Sequence, residues 1–366
     1  MAKLSVNIFN HQYDVHIGTD TFGLFATEYA GLLESADRIA IIADEYVAEL
    51  YLPLLQEALK VLNRDISIKR VPAGEKCKTM AVFTDCQSFL LGEKFTRDSL
   101  LIAFGGGACG DLTGFVAATY MRGIRYIQCP TTILAHDSAV GGKTAINMPE
   151  GKNMVGAFHQ PSSVIFNTRL LNTLPPREIR SGMAELVKHA FISNEDWANE
   201  LLANPAFTQP SIPWLSTELL RGIKVKADIV IEDEFEHSTR KYLNFGHTFG
   251  HAVEAVCGFG ELSHGESVMI GMAYALLLSE TYGSINEEKT NEFIAFAMKH
   301  GYSFRPIHDY PFSSFITYME KDKKASFGKL QFVLLNGIGR PFSKELTSLQ
   351  CEKAFDQLKQ RLEGTV

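Results

Sequence analysis

Residues 99–104 form a short apolar run that continues directly into a glycine-rich turn. A continuous apolar run of this length is typical of a strand buried on both faces of a parallel sheet. Gly105, Gly107 and Gly110 then have the spacing G-x-G-x-x-G. Between a strand and a helix, such glycines let a pyrophosphate approach the backbone N–H groups at the helix N-terminus. We therefore expect a helix beginning near Asp111 and a nucleotide at this turn.

The turn differs in two respects from the usual dinucleotide fingerprint. It lies far from the start of the chain, and residues 126–130, where the fingerprint expects an acid, contain none. An earlier apolar run ends at Asp44, whose carboxylate could accept the ribose hydroxyls instead. The alternative interpretation is that the glycines only form a tight turn.

A second segment is dense in histidine and glutamate. His247 and His251 are four residues apart, so a helix would project both imidazoles from one face, with Glu254 close to that face. His264 follows in the next segment. Imidazoles and carboxylates are zinc ligands, whereas a lone histidine is more often a structural residue. Their density here predicts a metal site.

Strand-like and helix-like segments alternate over the first half of the chain. Residues 4–17 alternate between apolar and polar and predict two strands, and further short apolar runs predict buried strands. Strand signals become rare between residues 171 and 330. The pattern predicts an α/β N-terminal nucleotide-binding domain with a mostly parallel sheet (1–169). A mainly α-helical C-terminal domain for metal and substrate (170–366) would follow it.

Composition and charge narrow the possible partners. The net charge of -7 and the pI near 5.9 argue against nucleic acid or an anionic membrane as the main partner. The six cysteines are scattered without a Cys-x-x-Cys pair, as expected of a reduced cytoplasmic protein. The N-terminal residues predict a strand rather than a signal region, and no apolar run is long enough to span a membrane.

Three cations lie in a polar, glycine-bearing region that we expect to form loops: Arg122, Lys143 and Lys152. A single lysine in a loop would be solvated, but three cations in one region favour an anion site. Further along, Glu185 and Lys188 share a face of a predicted helix at i, i+3. As an isolated surface ion pair they would contribute little to stability.

The chain resembles the 3-dehydroquinate synthase family of sugar-phosphate cyclases. The resemblance runs from about residue 71 to residue 339, and the first 70 and last 25 or so residues fit only loosely. The motifs that carry it are GGGACGDLTGFVAATYMR (105–122), TTILAHDSAVGGK (131–143), GKNMVGAF (151–158), and the segments 173–185, 240–254, 264–266 and 322–324.

The resemblance implies a cofactor and a metal. One divalent metal, usually zinc and alternatively cobalt, would be held by Glu185, His247 and His264, which leaves His251 out of the ligand set. The implied cofactor is NAD. Its contacts would be Asp44, Glu75, Lys78, Gly105, Gly106, Gly107, Gly110, Asp111, Thr131, Thr132, Lys143, Lys152 and Thr173.

The reaction that the resemblance implies converts 3-deoxy-D-arabino-heptulosonate 7-phosphate to 3-dehydroquinate and phosphate, in the shikimate pathway. It proceeds by transient oxidation with NAD, β-elimination, reduction and intramolecular aldol closure. The resemblance also implies a cytoplasmic enzyme and a homodimer, since the family is usually dimeric. The implied substrate contacts are Arg122, Asp137, Lys143, Lys152, Asn153, Lys188, Lys226, Arg240, Asn244, His251 and Lys324, with Lys323 an alternative to Lys324.

Three alternatives remain open from the sequence. A metal-dependent polyol dehydrogenase would share the two-domain plan but release its NADH. A related sugar-phosphate cyclase would act on a substrate without a carboxylate, against which Arg240 and Asn244 argue. A non-catalytic metal-binding protein would not need the combination of Glu185, Lys188 and Asp137 with the two histidines.

Overall fold

The computed structural model describes the chain except for residues 10, 150, 259, 322–329 and 365–366. The chain divides into two compact units. The first comprises Met1–Leu174 and Ser211–Phe235, and the second comprises Pro175–Pro210 and Glu236–Val366. No helix among the described residues is long and apolar enough to cross a membrane.

A seven-stranded sheet forms the centre of the first unit. The strands of this unit are β1 (Ala2–Ile8), β2 (His11–Gly18), β3 (Ile39–Asp44), β4 (Ser67–Val71), β5 (Leu100–Gly105), β6 (Arg125–Pro130), β7 (Lys143–Met148), β8 (Gly151–Phe158) and β9 (Ser163–Asn167). The sheet order is β1-β2-β9-β6-β5-β3-β4, and β7 pairs with β8 in a separate hairpin. Only β1 and β2 pair antiparallel within the large sheet, which confirms the mostly parallel sheet that the sequence predicts.

Helices cover the sheet of the first unit and make up most of the second. The α-helices in chain order are α1 (Ala30–Glu34), α2 (Glu45–Leu59), α3 (Met80–Gly92), α4 (Gly107–Thr119), α5 (Ala135–Ser138), α6 (Pro176–Ser193), α7 (Glu195–Leu202), α8 (Ile212–Glu232), α9 (His247–Cys257), α10 (His264–Tyr282), α11 (Glu287–Lys299), α12 (Arg305–Asp309), α13 (Phe312–Lys321) and α14 (Ser348–Glu363). The 3-10 helices are Phe22–Ala26, Lys60–Leu62, Gly74–Cys77, Tyr120–Arg122, Thr168–Thr173 and Thr239–Asn244. The second unit also contains the antiparallel hairpin β10 (Leu330–Leu335) and β11 (Pro341–Leu346).

The continuous apolar runs of the central strands follow from burial on both sheet faces. Along β3, Ile39 and Ile41 belong to one hydrophobic cluster, whereas Ala40 and Ile42 belong to the cluster on the other face. Because successive side chains of a strand point to opposite faces, a strand covered on both sides has no polar position to alternate with.

Three local expectations differ from the structure. Helix α4 begins at Gly107 rather than near Asp111, because the glycine turn is itself the first helical turn. Residues 143–158, expected as loops, form the hairpin of β7 and β8. The chain divides after Leu174, close to the expected boundary near residue 170, but Ser211–Phe235 groups with the first unit.

Helix α8 accounts for that last difference. It contacts β1, β2 and α5, all within the first unit. Its buried apolar side chains, among them Leu215, Leu219 and Ile223, follow a helical period. The sequence pattern identifies a helix here, but it does not contain the information on which core the helix covers.

Two glycines bring the helices of the second unit close together. A Cβ atom on Gly271 of α10 would lie 1.9 Å from the carbonyl oxygen of Gly246, which precedes α9. A Cβ atom on Gly265 would lie 1.9 Å from the carbonyl oxygen of Ser181 on α6. Only glycine permits these contacts, which bring the N-terminal end of α9 against α10 and the N-terminal end of α10 against α6.

Candidate active site

The N-terminal ends of two helices present histidines to a carboxylate in the second unit. His247 is the first residue of α9 and His264 is the first residue of α10. Glu185 lies on α6 with its side chain almost fully buried. Its Oε1 atom is 3.5 Å from Nε2 of His247 and 3.3 Å from Nε2 of His264. We call these three residues, the ligands that the family resemblance implies, the metal-ligand set.

The surroundings of His247 favour a neutral imidazole. Its Nδ1 atom is 3.1 Å from the carbonyl oxygen of Phe245. A carbonyl only accepts hydrogen bonds, so the proton lies on Nδ1 and the lone pair of Nε2 faces Glu185. Burial, with a smaller contribution from Lys188, lowers the pKa of His247 well below its ordinary value. This is the tautomer and charge state that a metal ligand requires.

A second carboxylate lies behind His264. The Oε2 atom of Glu254 is 3.5 Å from Nδ1 of His264, on the side of the ring opposite to Glu185. Burial alone would lower the pKa of His264, but hydrogen bonds to Glu185 and Glu254 raise it to about 9. A carboxylate on the far nitrogen of a ligating histidine fixes the orientation of the ring.

His251 is exposed on α9 but remains close to the other two rings. The centroid of its ring lies 5.3 Å from that of His247 and 5.7 Å from that of His264. One ligand atom from each of the three histidines lies within 4.8 Å of the others. The geometry therefore brings together a histidine triad that could hold a metal ion, with Glu185 as an alternative third ligand.

Lys188 lies one turn after Glu185 on α6, and both side chains are buried. Its ammonium group forms an ion pair with Oε2 of Glu185, while Oε1 faces the histidines. From the sequence alone, an ion pair at this spacing would be expected to lie on the surface and to contribute little to stability. In the folded protein both groups are buried, so the loss of either partner would leave an uncompensated buried charge and would be strongly destabilising.

The segment before α9 contains two predicted substrate residues and one that the sequence did not indicate. Arg240 is buried in the 3-10 helix Thr239–Asn244. The Nδ2 atom of Asn244 donates to Oε1 of Glu236 at 2.8 Å. Glu236 has a φ of 63°, in the left-handed region that residues other than glycine seldom adopt. Only the backbone conformation could have singled out this glutamate.

In the first unit, several predicted cofactor residues, among them Asp44, Gly105 and Thr131, lie at or just after the carboxyl ends of β3, β5 and β6. In a parallel sheet this edge is where ligands bind. Asp44 ends β3 and caps α2 through Oδ1, which accepts from the N–H groups of Tyr46 and Val47. Its Oδ2 atom accepts from the N–H of Gly74 at 2.9 Å. The carboxylate thus organises the loop before Glu75 and Lys78.

The glycines after β5 have a packing reason as well as the predicted binding reason. A Cβ atom on Gly105 would lie 2.6 Å from Cβ of Cys109, and one on Gly110 would lie 2.4 Å from Oε1 of Gln128. Cys109 is a small buried residue packed under the turn, and burial raises the pKa of its thiol to about 12. Packing is therefore sufficient to explain Gly105, whereas the atom that crowds Gly110 is the movable end of the Gln128 side chain.

The start of α4 remains suited to an anion. Gly106 is the N-cap residue, and no side chain caps this helix terminus. The N–H groups of the first helical turn therefore lack the usual side-chain acceptor. Nearby, the buried hydroxyl of Thr131 finds no hydrogen-bond partner among the described residues, and Thr132 packs against Gly106.

Lys78 connects the 3-10 helix Gly74–Cys77 to two other predicted site residues. Its ammonium group donates to Oδ2 of Asp111 at 2.6 Å and to Oδ1 of Asn153 at 2.5 Å. Burial alone would lower the pKa of Lys78, but the carboxylates of Asp111 and Glu75 raise it above the ordinary value. The ammonium group therefore stays charged in a buried position.

Lys226 and Asp137 meet although they are far apart in the sequence. The Nζ atom of Lys226 on α8 lies 3.3 Å from Oδ1 of Asp137 on α5 and also donates to the backbone oxygen of Asp137. Lys226 is buried. No local pattern could have predicted this pairing.

The remaining predicted residues have less specific surroundings. Lys143 begins β7 and is exposed, and Lys152 lies on β8. Arg122 is exposed and has a φ of 70°. The hydroxyl of Thr173 hydrogen-bonds to that of Tyr51 at 2.9 Å. Lys323 and Lys324 lie outside the described residues.

Comparison with known proteins identifies the class. A solved structure of 2-deoxy-scyllo-inosose synthase with carbaglucose-6-phosphate, NAD⁺ and Co²⁺ is 26% identical, with a TM-score of 0.85, covering 97% of this chain and 100% of that one. A 2-epi-5-epi-valiolone synthase from Streptomyces hygroscopicus subsp. jinggangensis 5008, solved with NAD⁺ and Zn²⁺, is 25% identical. Its TM-score is 0.84, and the match covers 97% of this chain and 99% of that one. The fold is that of a sugar-phosphate cyclase.

The sequence comparisons identify the family within this class. Models of the 3-dehydroquinate synthase N-terminal and C-terminal regions match residues 68–181 and 182–325. A 3-dehydroquinate synthase from Lysinibacillus sphaericus is 49% identical over 360 residues, which are 98% of this chain and 98% of that protein. The chain belongs to the 3-dehydroquinate synthase family and has the activity of a phosphorus–oxygen lyase of the shikimate pathway. This result argues against the polyol dehydrogenase and non-catalytic alternatives.

Proposed function

We propose that the chain converts 3-deoxy-D-arabino-heptulosonate 7-phosphate to 3-dehydroquinate and phosphate, using NAD and one divalent metal, zinc or cobalt. The observation that carries this proposal is the convergence of Glu185, His247 and His264. The NAD⁺ and the Zn²⁺ or Co²⁺ in the two related cyclases support both cofactors. We further propose a cytoplasmic homodimer, and sedimentation equilibrium would measure its mass.

The metal-ligand set, rather than the histidine triad, would hold the metal. Ligand atoms bound tetrahedrally to one zinc ion at about 2.0–2.1 Å lie about 3.3–3.4 Å apart. The separations of 3.5 and 3.3 Å between Oε1 of Glu185 and the two Nε2 atoms fit this requirement. When bound, the metal would lower the pKa of a substrate alcohol and polarise the corresponding ketone.

The carboxyl edge of the first sheet would bind NAD. The uncapped start of α4 suits a pyrophosphate, and the buried hydroxyl of Thr131 would gain a partner. NAD would supply reversible hydride transfer at one substrate carbon, so the overall reaction involves no net redox change. The other contacts would come from Asp44, Glu75, Lys78, Gly105, Gly106, Gly107, Gly110, Asp111, Thr132, Lys143, Lys152 and Thr173.

The chain's own cations would bind the two anionic groups of the substrate. Arg122, Lys143 and Lys152 would neutralise the phosphate and stabilise it as it leaves. Arg240 would bind the carboxylate through two guanidinium nitrogens. The planar guanidinium matches the two carboxylate oxygens better than a lysine ammonium group would. Lys324 is proposed for the substrate from the sequence motif alone.

Proton transfer would be carried out by side chains whose positions other residues control. Lys226 holds Asp137 in one orientation, so its carboxylate could accept a proton from a substrate hydroxyl. In the second unit, Asn244 and His251 would hydrogen-bond substrate hydroxyls, and Lys188 would keep Glu185 ionised. Asn153, whose amide oxygen contacts Lys78, would bind substrate through its amide N–H groups.

The test is phosphate release from the heptulosonate phosphate with NAD⁺ far below the substrate concentration. Many phosphates should appear per NAD⁺, with no sustained increase in NADH absorbance. Each turnover returns the hydride, so NADH should be detectable only transiently. Accumulation of NADH equal to product, or oxidation of simple polyols, would contradict the proposal and support a dehydrogenase.

A further inference from the structure

Asn147 makes three hydrogen bonds to different parts of the first unit. It lies in β7, at a register irregularity between Ile146 and Met148 in the pairing with β8. Its backbone N–H donates to the carbonyl oxygen of Lys78 at 2.7 Å. A β-bulge turns a side chain away from the regular strand direction, and bulges are common beside active sites.

The side chain of Asn147 uses both its donor and its acceptor. Its Nδ2 atom donates to Oε2 of Glu75 at 2.8 Å. Its Oδ1 atom accepts from the backbone N–H of Asn153 at 3.0 Å. Asn153 has a φ of 56°, so this bond supports a backbone conformation that asparagine adopts only at some cost.

These bonds close a network around Lys78. The carbonyl oxygen of Lys78 is held by Asn147, and its ammonium group is held by Asp111 and Asn153. Asn153 is in turn held by Asn147 through its backbone. One asparagine therefore connects the 3-10 helix that carries Glu75 with the strand that carries Asn153.

We propose that Asn147 is a positioning residue that holds the cofactor-side residues Glu75 and Lys78 in register with the substrate-side residue Asn153. The inference rests on the proposed roles of those three residues. Asparagine suits this position because its amide offers a donor to Glu75 and an acceptor to the Asn153 N–H. Aspartate would keep the acceptor but would repel Glu75, and alanine would lose both bonds.

The test compares Asn147→Ala and Asn147→Asp with the parent enzyme. NADH affinity is measured by fluorescence titration, and kcat and KM are measured by phosphate release. Both variants should weaken NADH binding about tenfold, the effect of losing a hydrogen bond to a charged group, and should lower kcat. Asn204→Ala, which removes an exposed turn hydrogen bond in the second unit, should change neither quantity.

A reciprocal exchange separates positioning from general destabilisation. In the double variant Asn147→Asp with Glu75→Gln, the amide at position 75 can donate to the carboxylate at position 147. Asn147→Asp should then weaken NADH binding by less than about threefold when it is added to Glu75→Gln, against about tenfold in the parent, because Glu75→Gln alone already includes any loss of the proposed cofactor contact. Strictly additive losses, or single variants with NADH affinity and kcat within about twofold of the parent, would overturn the inference. If the proposed function itself were wrong, the parent enzyme would release no phosphate.

Discussion

At the scale of single residues, the metal site depends on which side chains lie around the two histidines that begin α9 and α10. Both His251 and Glu185 are near enough to compete as the third ligand of His247 and His264. Glu185 is buried and directs one oxygen toward both Nε2 atoms, whereas His251 is exposed. A buried carboxylate beside two imidazoles gains more from a divalent cation than an exposed imidazole does.

Replacing each histidine separately distinguishes the two ligand sets. His247→Ala should abolish both metal binding and turnover, because it removes a proposed ligand. His251→Ala should retain the metal and lose rate, because we propose His251 as a substrate contact and not as a ligand. Metal content measured by atomic emission after purification without chelators, together with phosphate release, checks both outcomes. Equal loss of metal in the two variants would favour the histidine triad.

Glu254 is expected to control metal affinity without contacting the metal. Its carboxylate lies 3.5 Å from Nδ1 of His264. Glu254→Gln should weaken metal binding about tenfold, since the loss of an outer partner of a histidine ligand costs about 10–100-fold. Competition with a coloured chelator measures this affinity without any activity assay. Glu261→Gln, an exposed neighbour, serves as the control and should leave the affinity unchanged.

At the scale of elements, the site depends on how the N-terminus of α10 is held. Ser263 and Glu266 form a capping box, in which each side chain hydrogen-bonds to the backbone N–H of the other residue. Arg180 adds an ion pair to Glu266 at 2.9 Å. Because His264 is the first residue of this helix, the cap that fixes the helix terminus also fixes a predicted ligand.

The stabilisation from Glu266 should depend on pH. Burial alone would raise its pKa, but hydrogen bonds from Ser263 and Arg180 lower it below the ordinary 4.5. A carboxyl group whose pKa is lower in the folded state than in the unfolded state stabilises the fold at pH values above its unfolded-state pKa. This stabilisation is lost as the pH falls through the folded-state pKa. Glu266→Gln should therefore lower the free energy of unfolding by about 1–2 kcal/mol near neutral pH and by less below about pH 4.

Urea unfolding of Glu266→Gln and the parent at both pH values measures this difference. Glu288→Gln is a matched control, because Glu288 is an exposed first-turn glutamate of α11 outside the cap interaction. A difference that stayed constant between the two pH values would show that the ionised carboxylate is not responsible.

The close packing of α10 against α6 should affect stability as much as the cap of α10 does. Gly265→Ala would place a Cβ atom 1.9 Å from the carbonyl oxygen of Ser181 and push α10 away from α6. We expect a loss of about 3 kcal/mol or more of stability, with weaker metal binding, since backbone atoms cannot move aside cheaply. Gly23→Ala is the control, because nothing lies within 4 Å of its added Cβ. Thermal unfolding and metal titration of both variants check the prediction; similar behaviour would contradict it.

At the scale of the whole molecule, the first unit is discontinuous in sequence. Residues 1–174 form most of it, but α8 contributes buried Leu215, Leu219 and Ile223 and the buried Lys226. Burial of each such apolar side chain contributes about 1.5–3 kcal/mol. A single boundary near residue 170 therefore omits one helix of the first core.

Truncation tests this organisation. A fragment of residues 1–174 should unfold at a lower temperature than the same fragment joined through a flexible linker to residues 211–235, because only the latter contains α8. Circular dichroism melts measure both. The control is the linked fragment with Leu219→Asp, which should lose the increase in melting temperature. Equal melting temperatures for the short and linked fragments would show that α8 is dispensable for this core.

The sequence by itself determined what neighbouring residues can encode. Continuous apolar runs predicted a mostly parallel sheet, glycine spacing predicted the turn after β5, and histidine spacing predicted which imidazoles share α9. These patterns can be recognised in the sequence because the buried positions of a strand or helix recur with a fixed local period. Glu185 was assigned to the metal-ligand set only through the family resemblance, because no sequence spacing connects it with His247.

Tertiary structure decided everything that joins distant segments. It brought Lys226 to Asp137, assigned α8 to the first unit, and gave Asn147 contacts to Glu75 and Asn153. It also showed that the close approach of Cys109 requires glycine at position 105. The physical reason is that a contact across many residues depends on how whole elements pack, and the identities of the two residues alone do not specify that packing.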